Sequence, residues 1–264
     1  MTADALIATL DLSPGARVDR RVPKTLLVEH GAPTPADRRQ VNDAVEALVW
    51  VAALKPATIG VPAFRDDVRE YLEIAVLRMT LREVPGGRSA ASARLTELVH
   101  RAVPYPVILC VDHRDSEAPG NAGVSLSAAH KRWSQGEAGK TVLDGDVVVV
   151  AWDGTAGGLS EAEIQALSLS RQPQASMLTV YQGWVDALTT IAASRVTGAL
   201  TLPVSPQQAA DRQAALTELK AISREMDRLR AAARRETQVA RQVDLNMKLK
   251  AMQARRTAAE ERLR

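Results

Sequence analysis

The sequence has one cysteine, Cys110, among 264 residues, so no internal disulfide staples the fold and no paired-thiolate metal site is available. In the apolar run "PVILCV" that thiol reads as a small core residue rather than a nucleophile, and a reducing compartment is expected. Aromatics make up only 3% of the chain, with Phe64 the single phenylalanine. Val, Leu, Ile and Ala must therefore fill the core. No apolar run approaches the ~18 residues of a membrane span, and "MTADALIATLDL" has no basic start, so a cytoplasmic protein with no membrane association is expected. Signatures of chemistry are missing too: there is no G-x-x-x-x-G-K-[ST] loop, no G-x-S-x-G elbow and no H-E-x-x-H. His30, His100, His113 and His130 stand far apart. No cofactor or metal is expected, and the residues point away from an enzyme.

What is present reads as an α/β body followed by helices. A helix is predicted over "PTPADRRQVNDAVEALVWVAALKP", with Thr34 as N-cap, Pro35 at N1, Val41, Val45, Leu48, Val49 and Ala52 at helical spacing, and Pro56 as the stop. "ATIGVPAF" and "YLEIAVLRMTLREV" read as a strand hairpin across "RDDVRE". "SARLTELVHRAV" is a helix closed by Pro104; "YPVILCVDH", "AGVSLSAAHKRW" and "VVVVAWD" are buried strands. The order α-β-β-α-β-β-β predicts a five-stranded mixed sheet in residues 1–155. A helical extension over 156–200 opens on the capping box Ser160/Glu163 and stops at Gly198.

From Gln207 onward there is no glycine, proline or aromatic to interrupt a helix. This tail, residues 206–264, carries 14 Lys and Arg against 8 Asp and Glu, which leaves the body mildly acidic. Leu219, Ile222, Met226, Leu229 and Ala233 follow the alternating three and four step of a coiled coil. Apolar positions resume in another phase at Val239, Val243, Leu245, Leu249 and Met252, so the tail either stutters or folds back as a helical hairpin near "RRETQ". Leu219, Ile222, Met226, Leu229, Val243, Leu249 and Met252 are the candidate partner-interface residues.

Two other groups of residues invite a functional reading. His130, Lys131, Arg132 and Trp133, at the end of a predicted strand, form either a solvated sheet rim, a phosphate contact with an aromatic to stack on a base, or a protein interface. With Lys24 and the tail residues Arg235 and Arg241 they are the candidate nucleic-acid contacts. Glu73, Asp112 and Asp153 near strand ends are the candidate ligands of a metal-dependent nuclease, although Ala75 stands where a Glu-x-Lys pair would place its lysine. "VDH" followed by "RDSE" sets Asp112, His113, Asp115 and Glu117 close together; a polar hairpin loop accounts for them as well as an ion would, and no zinc site is assigned.

Four stretches, "RVPKTLLVEH", "EALVWVAALKPATIGV", "VPYPVILCVDH…VSLSAAHKRW" and "RRETQVARQVDLNMKLKAM", together resemble the uncharacterised bacterial family known as domain of unknown function 4391. The resemblance implies a gene neighbourhood of helicases, DNA methyltransferases and restriction subunits, and hence antiviral defence or restriction-modification. It carries over no catalytic residue; Lys24 in "VPK" and His130, Lys131 and Arg132 in "AHKR" fit the family's pattern. The expected function is a non-enzymatic accessory or adaptor subunit, docked to a helicase or methyltransferase through the tail. Direct DNA binding, a homodimer through the tail and a metal-dependent nuclease are the alternatives.

Overall fold

The computed structural model describes residues 1–82, 88–113, 123–152 and 158–263. The elements in chain order are α1 (Ala3–Ala8), β1 (Arg17–Arg21), α2 (Lys24–Gly31), α3 (Pro35–Ala44), β2 (Val45–Leu54), α4 (Pro56–Ile59), β3 (Phe64–Arg65), β4 (Glu70–Tyr71), β5 (Ile74–Leu81), α5 (Arg88–Ala102), β6 (Val107–His113), β7 (Gly123–Trp133), β8 (Thr141–Trp152), α6 (Glu161–Leu167), α7 (Met177–Thr197), α8 (Pro206–Arg235) and α9 (Val239–Glu261). Two compact units divide the chain, Met1–Leu188 and Thr189–Arg264.

The first unit is built on a six-stranded mixed sheet in the order β1-β2-β5-β6-β7-β8. All its pairs are antiparallel except β5 with β6, and α5 makes the crossover that this parallel pair requires. The predicted long helix is corrected here. Helix α3 has the expected Thr34 cap, whose Oγ1 accepts from Asp37 N at 3.1 Å, but it ends at Ala44, and Val45–Leu54 is strand β2 between β1 and β5. A strand covered on both faces is apolar at nearly every position. Such a run satisfies helical spacing as readily as strand alternation, and only the two neighbouring strands decide between them.

The predicted hairpin of "ATIGVPAF" with "YLEIAVLRM" is corrected as well. That region contains the short helix α4 and the separate two-residue pair β3 and β4, while β5 pairs with β2 and β6. Strand β1 and helix α1 were not foreseen.

Alternation along the strands divides the core. Leu77, Met79, Leu109 and Val111 face α2, α3 and α5, meeting Leu27, Val41, Leu95, Leu98 and Val99. Gly31 is required there, because a Cβ on it would lie 2.7 Å from Leu98 O on α5. On the opposite face, Cys110 Sγ lies 3.9 Å from Ala3 O of α1, and burial pushes its thiol up to about 12. Tyr181 of α7 reaches β6 and β7, and the buried Trp184 donates to Leu167 O at 2.8 Å.

In the second unit α8 and α9 form an antiparallel hairpin, turning at residues 236–238. Its direction follows from cross-helix partners: Glu218 takes ion pairs from Arg255 and Arg262, and Gln242 reaches Ala233 O near the turn. Ala193, Ala215, Leu219, Ile222, Met226, Ala259 and Leu263 form the core, with Leu249 and Met252 partly buried against it.

Candidate functional site

The exposed basic and aromatic tip expected at His130–Trp133 is not formed. Lys131 is only 2% exposed, and its Nζ donates to His100 O at 2.5 Å and to Val103 O. These carbonyls lie at the end of α5, where orphan acceptors and the negative pole of the helix both favour a cation. Burial pulls the Lys131 pKa down to about 8, which still leaves the ammonium charged at neutral pH. Arg132 shares Asp144 with Arg69, at 3.7 and 3.0 Å. Trp133 is half-buried, and its backbone N donates to Val68 O at 2.8 Å.

His130 belongs to a buried polar cluster with Tyr71 and Tyr181. The register of β7 against β8 shifts between Ala128 and His130. At this irregularity Tyr181 Oη accepts from Ala129 N at 2.9 Å and donates to Val107 O or Ala129 O, at 2.8 and 2.9 Å. Tyr71 Oη accepts from Lys131 N at 3.3 Å and lies 2.6 Å from His130 Nδ1, so its proton holds the neutral imidazole. Desolvation, with Arg69 adding to it, takes His130 down to about 4. His100 is fully buried with Nε2 3.0 Å from Ser127 Oγ; desolvation and the Lys131 charge take it down to about 3. Both imidazoles are structural groups held neutral.

The candidate carboxylates do not converge. Glu73 precedes β5 and pairs with Lys55 at 3.1 Å, whereas Asp112 lies beside Thr80 at the other end of the same strand. Seven residues of extended chain separate Glu73 from Thr80, roughly 23 Å, too far for one ion. Asp153, Asp115 and Glu117 lie outside the described residues. Among the described residues no group of three or more His, Cys, Asp or Glu is placed to hold a metal.

Two surfaces remain. Where β1 and β5 end and β2 begins, Lys24 Nζ and Arg82 Nη1 both approach Asn42 O, at 3.4 and 3.2 Å, and Arg21 Nη2 approaches Glu46 O at 3.4 Å. Desolvation and then the neighbouring Arg82 and Arg21 charges lower the Lys24 pKa. Only Lys24 was identifiable from sequence, because Arg82 is brought in by the pairing of β2 with β5.

The other surface is on the hairpin. Leu219, Ile222, Met226 and Leu229 are buried, and Leu249 and Met252 half-buried, inside the hairpin itself; as folded, they are not open to a partner. Val243 is on the outer face of α9 and 50% exposed, between Val239 at 75% and Met247 at 66%. The three recur at steps of four and form one apolar row. Lys250, three residues after Met247, is exposed on the same face of α9 and forms no ion pair among the described residues; Arg234, Arg235 and Arg241 are exposed elsewhere on the hairpin. Met247 was missed in the sequence, although its spacing from Val239 and Val243 was there to find it.

Among the described residues no helix is long and apolar enough to cross a membrane. The family described as Domain of unknown function (DUF4391) matches residues 10–255. No curated protein and no solved structure matches the chain.

Proposed function

The chain belongs to the DUF4391 family, and from that premise we propose that it is a non-enzymatic adaptor subunit of a DNA-directed defence or restriction-modification system, docking to a helicase or methyltransferase partner through the outer face of α9. The observation that carries this reading is the row Val239, Val243 and Met247, left in water by a helix whose inner face is already occupied. An amphipathic helix lays one apolar face on its neighbour and keeps the other polar; a second apolar face fits a second neighbour. The excess of 14 Lys and Arg over 8 Asp and Glu in residues 206–264 favours an acidic helical surface and disfavours another copy of the same basic hairpin.

The test is light scattering on size-exclusion fractions of the full chain mixed with the helicase or methyltransferase encoded beside it. A stable complex is expected, and Val243→Glu with Met247→Glu is expected to weaken it by about 100-fold or more without loss of helicity, since both side chains are at least half exposed and outside the core between α8 and α9. Co-elution that survives both substitutions overturns the reading, and self-association in place of a complex assigns the face to a second copy.

A second reading rests on the cluster Arg21, Lys24 and Arg82. As a phosphate contact it predicts that log K for duplex DNA falls with log salt at a slope of about −2 to −3, set by three cations. Replacing all three with Gln then flattens the slope; an unchanged slope removes the cluster from the interface.

A further inference from the structure

Within the second unit, Arg212 of α8 is 2% exposed, yet among the described residues no carboxylate pairs with it. Among the described residues its one hydrogen bond runs from Nη1 to Thr201 O. A guanidinium has five N–H donors and keeps its charge at any pH the protein meets. Burial without a counter-ion is therefore expensive, and deprotonation offers no escape. The C-terminal end of α7 is close by, with Ala193 and Thr197 in the same lining, but a helix terminus supplies only about half a charge, and Arg212 itself lines the pocket.

Arg212 lines a pocket of about 220 Å³ with Thr190, Ala193, Thr197, Ala199, Thr201 and Leu263. At ~30 Å³ for each water there is room for a small oxyanion together with a few waters. The Thr197 hydroxyl is already engaged with Ala193 O and Ala199 O, whereas among the described residues the Thr190 and Thr201 hydroxyls have no hydrogen-bond partner. We infer that this pocket binds a small oxyanion, a carboxylate or a phosphate, with the Arg212 fork as its main anchor and Thr190 and Thr201 as neutral donors. The planar fork matches both anions, so the two are separated by experiment.

Isothermal titration of the full chain with inorganic phosphate and, separately, acetate at constant ionic strength tests this. One-to-one binding of at least one anion is expected. Arg212→Gln is expected to weaken it by about 10- to 100-fold, the worth of a charge-assisted hydrogen bond. Thr201→Val keeps the backbone oxygen that Arg212 uses, so it is expected to fold normally and to weaken binding by about threefold to tenfold. Phosphate without acetate identifies a tetrahedral site, and the reverse a carboxylate site. No binding by the natural chain, or binding unchanged in both variants, overturns the inference and leaves Arg212 as a pin between α8 and Thr201.

Discussion

Lowering the pH from about 7.5 to about 4.5 is expected to destabilise the Met1–Leu188 unit by roughly 5 kcal/mol, a large part of the 5–15 kcal/mol typical of a folded domain. His100 and His130 are held at about 3 and about 4 in the folded protein, against ~6.5 in an unfolded chain. Below ~6.5 the unfolded chain takes up two protons that the folded one refuses, so stability falls by about 1.4 kcal/mol per pH unit for each histidine. It is fully present above the unfolded value and lost as the pH drops towards the folded ones.

The groups facing these imidazoles act in known directions. Lys131 stays protonated throughout and opposes a charge on His100; Arg69 opposes and Asp144 favours a charge on His130. Asp186, raised by burial, offsets part of the effect by protonating early in the folded state. Trp50, Trp133, Trp152 and Trp184 all lie in this unit, so urea titrations followed by tryptophan fluorescence report it without interference from the tail. The natural chain should lose stability steeply below pH ~6.5, and His100→Gln with His130→Gln should remove most of that slope. A flat profile in the natural chain, or the same slope in the double variant, would falsify the assignment.

Replacing Lys131 with Met should cost about 2–4 kcal/mol in the same fluorescence assay at neutral pH. Methionine fills the space of the aliphatic stem, so little packing is lost. His100 O and Val103 O, however, lose their donor at the end of α5, and each unsatisfied acceptor costs about 1–3 kcal/mol. Part of that is returned, because an ammonium no longer has to be buried. DNA affinity should be unchanged, since the ammonium faces carbonyls and not solvent. If stability is untouched while DNA binding drops, Lys131 is a surface contact and the buried geometry is wrong.

The legible and illegible parts of this fold separate by distance along the chain. Thr34 with Asp37 and Ser160 with Glu163 form capping boxes, and Gly198 follows the last turn of α7 at a φ of +79°; each lies within a few residues of the structure it controls. The change of phase after Ala233 was equally local and marked the turn between α8 and α9. Strand β2 was misread because its ten residues carry no marker of period, and its strand character comes from β1 and β5 on either side.

By itself, then, the sequence determined the starts of α3 and α6, the stop of α7 at Gly198, which tail residues form an apolar seam, and that an aliphatic core carries one unpaired thiol, because caps, turns and periodicity are short-range properties of neighbouring residues. Tertiary structure alone decided what the charged and polar groups do. Lys131 meets carbonyls 31 and 28 positions earlier, the seam of α8 closes on α9 of the same chain, Arg82 joins Lys24 where β5 ends beside the start of β2, and Arg212 lies in a pocket with no carboxylate paired to it among the described residues. A charge written as lysine or arginine looks solvated in one dimension. Its burial, its partner and its proton are set by packing between segments that no local pattern connects.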